Sequence, residues 1–122
     1  MGGLQVLKIG GSVLMDKRSG SSELREELLK ELFGRIRDEL EGPLILVHGG
    51  GTEVHRVAVE YNVAAGAKRS SVEGFARTAL EVRRLNLKVT ELMTSSGLMP
   101  FPIPASLAFR TTGGRIRSAN LD

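Results

Sequence analysis

The sequence predicts an α/β fold, a three-layer α/β/α sandwich around a mainly parallel sheet. Three observations carry that expectation. A mostly apolar run over residues 4–9 ends in a glycine pair. An amphipathic stretch with leucines or isoleucine four apart follows it. A second apolar run over residues 44–47 then meets three consecutive glycines. Strand, helix and strand in that order make a βαβ unit, with parallel strands and a right-handed crossover.

The elements follow in order. Residues 4–9 read as a buried first strand, because continuous apolar runs are typical of parallel strands covered on both faces. Residues 15–22 are polar and rich in glycine and serine, and read as a loop. Ser22 is a plausible N-cap, and Glu23 and Glu26 would sit in the first helical turn, where the dipole favours negative charge. Over residues 23–41, Leu24, Leu28, Leu32, Ile36 and Leu40 form a stripe that Leu29 and Phe33 widen. Glu26 and Lys30 stand in the favourable order for a pair one turn apart. Gly42 and Pro43 end this helix. Residues 44–47 read as a second buried strand.

A further helix is expected from about Thr52 to Ala64. A loop over residues 66–71 should precede a long helix over residues 72–93. Residues 100–104, Pro-Phe-Pro-Ile-Pro, are extended and a candidate for a third strand. Residues 107–110 and 115–117, joined through Gly113 and Gly114, read as a β-hairpin. No repeat or long linker divides the 122 residues, so one domain is expected.

The bulk properties narrow the function. Without cysteine, disulfides, thiolate catalysis and thiolate metal sites are excluded. That absence fits a reducing, cytoplasmic setting. No apolar run is long enough to span a bilayer, and the start does not resemble a signal peptide, so no membrane role is expected. The net charge of +3 is spread over a mixed surface. Basic and acidic residues alternate, and only one tyrosine and four phenylalanines are present, so nucleic acid is not an expected partner.

The chemistry concentrates in the two glycine groups, Gly10-Gly11 and Gly49-Gly50-Gly51. Both fall just past the C-terminal ends of the expected parallel strands, the edge at which open α/β sheets bind ligands. Glycine lets a phosphate approach the backbone closely and leaves N–H groups unhindered. The second group also opens a helix, whose N–H groups and dipole attract an anion. The structural alternative is a pair of tight strand-to-helix turns. Lys8 argues against it, because a lysine in an apolar strand is poorly placed for packing, while its ammonium could reach phosphate oxygens. Lys17, in Asp16-Lys17-Arg18, is by position a solvated loop residue. His55 falls in the first turn of the second helix, near the anion site, and could donate to a bound phosphate. His48 reads as a buried, hydrogen-bonded residue that shapes the loop. Neither group matches GxGxxG or GxxxxGK[ST].

Lys8-Ile9-Gly10-Gly11-Ser12 followed by Val47-His48-Gly49-Gly50-Gly51 resembles the opening of the amino acid kinase superfamily. Within it, Asp16-Lys17, His55, Tyr61, Gly74-Phe75, Leu85-Asn86, Ile103-Pro104-Ala105-Ser106 and Gly114-Arg115-Ile116 follow in the order seen in isopentenyl phosphate kinases. The resemblance covers nearly the whole chain but corresponds to the N-terminal, phosphoryl-acceptor lobe. It implies that a C-terminal nucleotide lobe is absent from this chain. It also implies ATP-dependent phosphorylation of isopentenyl phosphate, a step of isoprenoid biosynthesis, with Mg2+ carried on the ATP phosphates rather than by a protein metal site. Lys8, Gly10, Gly11, Ser12 and Gly51 would then contact ATP. Gly49, Gly50 and His55 would hold the acceptor phosphate, and Lys17 would stabilise transition-state charge. A homodimer is implied as well. Two alternatives stay open: an acetylglutamate kinase-like acceptor, and a non-catalytic phosphate-binding or subunit-interaction domain.

Overall fold

A computed structural model describes residues 2–16, 23–66 and 71–120. The elements run β1 (Gln5–Ile9), α1 (Gly11–Leu14), α2 (Glu26–Glu39), β2 (Leu44–His48), α3 (Gly51–Glu60), α4 (Val72–Ser95), α5 (Ala105–Ala108), β3 (Phe109–Thr112) and β4 (Arg115–Ala119). A 3₁₀ turn, Val63–Ala65, lies between α3 and α4.

Strands β1 and β2 pair in parallel, with Gln5 opposite Leu44 and Ile9 opposite His48. The expected neighbours and direction are therefore present, and the sheet ends in register at the two glycine groups. Along β1 and β2, alternate side chains face opposite sides. Ile9 and Leu46 face a core shared with Leu29 and Phe33 of α2 and Leu85, Val89 and Leu92 of α4. Val6, Lys8, Ile45 and Val47 point the other way and are exposed, Val6 by 66%. Both strands read as buried, yet among the described residues they are covered on one face only. The described residues thus supply a sheet and one helical layer against it.

Helix α2 is shorter than its leucine pattern suggests. Leu24 is held in an isolated antiparallel bridge to Met15, so the chain there is extended and the helix begins at Glu26. Ser22 lies outside the described residues; the capping position is Arg25, without a side-chain cap. The guanidinium of Arg25 instead donates to the Ser12 carbonyl at 3.0 Å, and its N–H to the Leu14 carbonyl at 2.8 Å. The apolar stripe is also centred differently. Leu29 and Phe33 are fully buried, while Leu28 is exposed. The rows four apart name one edge of the stripe, and the sheet selects the neighbouring row.

Helix α3 stops at Glu60, because Asn62 adopts a left-handed conformation (φ 53°) that a helix cannot continue through. Helix α4 starts at the cap Ser71, whose Oγ accepts the Gly74 N–H at 2.9 Å. It crosses α3 where Gly74 meets Tyr61: a Cβ at Gly74 would lie 2.5 Å from the Tyr61 Cβ. At its far end Gly97 turns left-handed (φ 89°), and Arg37 of α2 donates to the Ser96 carbonyl at 2.9 Å.

Residues 98–104 belong to no helix or strand, so the third strand expected over residues 100–104 does not form. With β2, α4 and the end of α2 they border a groove of about 420 Å³. The hairpin forms with Gly113 and Gly114 at its turn, both at positive φ, and its first strand starts at Phe109 because residues 105–108 make a helical turn. No helix among the described residues is long and apolar enough to cross a membrane.

Candidate functional site

The β1–β2 register brings the two glycine groups side by side, since Gly10 follows Ile9 and Gly49 follows His48, its partner. Gly10 and Gly11 turn the chain from β1 into α1, where the Gly10 carbonyl accepts from the N–H of Val13 and of Leu14, both at 3.1 Å. Gly50 and Gly51 turn it from β2 into α3. Helix starts leave their first N–H groups without intrahelical acceptors, so both junctions present backbone donors.

The glycines divide into two kinds. Gly51 is required by the fold: its φ is +69°, and a Cβ there would lie 2.6 Å from the Met15 Cε and 2.8 Å from its Sδ. Gly50 is required by packing, because its Cβ would lie 2.7 Å from Val54 Cγ1. Gly10 and Gly49 are required by neither. Neither has a positive φ, and a Cβ at either position would meet no described atom within 4 Å. Two glycines that the backbone does not need therefore follow the paired residues Ile9 and His48 at the C-terminal edge of the sheet. The open space at each lets a ligand approach the backbone closely.

Lys8 is exposed, one residue before Ile9 and opposite Val47, on the uncovered face of the sheet. Ser12 is exposed in α1 and lends its carbonyl to Arg25. His55 is exposed one turn into α3, away from the buried Val54 and Val57. The structure thus brings Gly10, Gly11 and Ser12 next to Gly49, Gly50 and Gly51. Lys8 and His55 are both exposed. Lys17 lies outside the described residues.

His48 is tied at both ring nitrogens. Nδ1 lies 2.8 Å from the Gly49 carbonyl oxygen, and Nε2 lies 3.0 Å from Nδ2 of Asn86 on α4. The expected hydrogen bonding is present, but His48 is half-buried rather than buried. Asn86 is its unforeseen partner, though a polar residue beside Leu85 and three before Val89, on a buried helix face, is a signal of such a role. Met15 is a second residue the sequence did not single out. It is 2% exposed, and its sulfur accepts the Thr52 N–H at 3.3 Å. The Thr52 hydroxyl is buried with no hydrogen-bond partner among the described residues.

Charge at the α3 start is restrained. Glu53, in the first turn, is bound by Arg56, whose Nε donates to Oε1 at 3.1 Å and whose Nη1 reaches Glu60 at 3.0 Å. The hydrogen bond from Arg56 holds the Glu53 carboxyl below its ordinary range, and Glu53 in turn raises Arg56. Among the described residues there is no cluster of acidic and histidine side chains arranged to hold a metal ion.

Comparison with known proteins places these observations in a family. The model of the amino acid kinase family matches residues 3–122. The isopentenyl phosphate kinase of Methanothermobacter thermautotrophicus is 29% identical over 121 residues, which are 95% of this chain and 46% of that protein. That of Thermoplasma acidophilum is 30% identical over 106 residues, covering 84% of this chain and 41% of its own length. One solved isopentenyl phosphate kinase structure superposes with a TM-score of 0.86 at 28% identity, over 98% of this chain and 51% of that one. A substrate complex of isopentenyl phosphate kinase gives 0.72 at 30% identity. The chain spans about half the length of the curated relatives it matches.

Proposed function

The chain belongs to the amino acid kinase family, and on that premise we propose that it is the phosphoryl-acceptor lobe of a kinase that transfers the ATP γ-phosphoryl group to isopentenyl phosphate, giving isopentenyl diphosphate for isoprenoid synthesis in the cytoplasm. One observation carries the reading: Gly10 and Gly49, adjacent across a parallel pair, leave open space that the fold itself does not need. That space, bordered by helix-start N–H groups, suits two phosphates brought together.

In this reading Lys8, Gly10, Gly11, Ser12 and Gly51 hold the ATP phosphates, with Mg2+ carried on them. Gly49, Gly50 and His55 hold the acceptor phosphate. Lys17 supplies positive charge where the transferred group passes. Phosphoryl transfer needs little covalent assistance, so cationic and N–H donors set between two anions are the main requirement. The uncovered sheet face of Val6, Ile45 and Val47 is the side on which the third layer of the sandwich would lie, and a nucleotide lobe or a second copy would cover it.

The acceptor is tested by calorimetry on this chain, with isopentenyl phosphate and N-acetylglutamate as ligands. Isopentenyl phosphate is expected to bind and N-acetylglutamate not to. The reverse order would transfer the assignment to an acetylglutamate kinase-like acceptor. Binding of neither would favour a domain without an acceptor site.

A further inference from the structure

We propose that Asn86 and His48 form a latch that sets the orientation of the Gly49–Gly50 peptide and thereby aims the Gly50 N–H. The proposal deepens the kinase reading, since it rests on that N–H serving a phosphate. The latch itself is a property of the free chain.

The argument begins at the Gly49 carbonyl. A carbonyl oxygen can only accept, so the 2.8 Å contact with His48 Nδ1 requires the proton on Nδ1. In that tautomer Nε2 carries a lone pair, and it needs a donor. The Asn86 amide, 3.0 Å away through Nδ2, provides one. Each bond therefore selects the other: Asn86 keeps the proton off Nε2, and the proton on Nδ1 holds the Gly49 oxygen.

The consequence lies in the peptide plane. The peptide bonds of the described residues are trans, so the Gly49 C=O and the Gly50 N–H point in opposite directions. With the oxygen turned to the imidazole, the N–H is turned away from it. No acceptor for the Gly50 N–H is among the loop and cap hydrogen bonds of the described residues. A peptide between two glycines has little steric preference of its own, and nothing described would touch a Cβ at Gly49. The imidazole then holds the Gly49 side of this peptide, while Gly50 is set as the N-cap of α3 against Val54. Asn86 acts through His48 and is a positioning residue; it belongs to α4, which also packs Leu85 near Gly51.

The test reads the tautomer and the loop separately, using 15N NMR on the intact chain. In the wild type His48 should show a protonated Nδ1 and an unprotonated Nε2; the opposite tautomer would overturn the proposal without any mutation. Asn86→Leu should shift the Gly50 amide resonance and mix the His48 tautomers. It should also weaken isopentenyl phosphate binding about three- to tenfold, the effect of one hydrogen bond. Asn86→Gln, which keeps an amide, should recover part of the loss. Thr90→Val is the control: its hydroxyl donates to the Asn86 carbonyl at 2.7 Å but does not touch His48. If Thr90→Val produces the same shifts, or Asn86→Leu leaves the Gly50 amide and the affinity unchanged, the latch is wrong. A correct tautomer, with Asn86 dependence, in a chain that binds no phosphate ligand would count against the kinase reading alone.

Discussion

Met15 and Gly51 fit together across the two loops: the Met15 thioether occupies the place of a Gly51 side chain and also takes the Thr52 N–H. The contact locks the α1 turn to the start of α3. Gly51→Ala would add a Cβ to a left-handed position and force it against this sulfur. The expected destabilisation is about 2–4 kcal/mol, combining strain at positive φ with overpacking. Urea unfolding measures it, and a loss below about 0.5 kcal/mol would show that the loops are not locked in this way.

Gly10→Ala and Gly49→Ala should behave in the opposite manner. Both sites accept a Cβ without a clash, and Gly10 has an extended conformation (φ −74°, ψ 164°) open to alanine. Stability should hold or rise by about 0.4–1 kcal/mol, because alanine restricts the unfolded chain. Phosphate-ligand binding should fall at least about tenfold, as the methyl group enters the space reserved for the ligand. Variants that are stable and still bind normally would remove the main support for the phosphate cradle.

These two glycine classes show what the sequence could and could not disclose. The βαβ order, the parallel pairing and the placement of both glycine groups at one sheet edge were legible, because apolar runs and glycine stops are local signals. The role of each glycine was not, since it depends on whether Met15, Val54 or open space faces it. The same holds for α2. Its leucine spacing identified a helix, but only packing against Ile9 and α4 decides that Leu29 and Phe33 are central and Leu28 is outside. Leu24 was drawn out of the helix by its bridge to Met15, a long-range pairing no local pattern announces.

His55→Ala should impair the acceptor more than the nucleotide. A charge-assisted hydrogen bond is worth roughly 1.5–3 kcal/mol, so kcat/KM for the phosphorylated acceptor should drop about ten- to a hundredfold in an enzyme that contains this lobe. Lys8→Ala should instead raise KM for ATP or lower kcat. Unchanged acceptor kinetics in His55→Ala would leave the family membership intact and remove the case for that histidine.

Arg56→Leu should release Glu53 into the first turn of α3. With the guanidinium gone, the Glu53 carboxyl is expected to rise toward its ordinary range, a change visible by carboxyl 13C NMR against pH. The sign follows from the depressed folded value: the pair contributes above the unfolded carboxyl range and is lost as pH falls through the folded one. At neutral pH the freed carboxylate would repel an anion in the loop, and phosphate binding should weaken a few-fold, less at high salt. No change in Glu53 titration would rule out Arg56 as its restraint.

Among the described residues, the apolar sheet face of Val6, Ile45 and Val47 and the outer strand edges are left without cover. Such surfaces favour association. The isolated chain should therefore be a dimer or larger at micromolar concentration by light scattering, and Val6→Asp with Val47→Asp should dissociate it. A monomeric wild type would refute this.

Helix α4 has 24 residues and so extends about 36 Å. It is pinned near one end by the Gly74–Tyr61 crossing and at the other by Arg37 on the Ser96 carbonyl, with Asn86 between them. Mechanically it is a rod seated in two bearings with a pin in its shaft. An axial slide of about 1 Å would exceed the reach of the 3.0 Å Asn86–His48 bond. Gly74→Ala, about 18 Å from Asn86 along the axis, should therefore alter the His48 ring resonances without touching the loop.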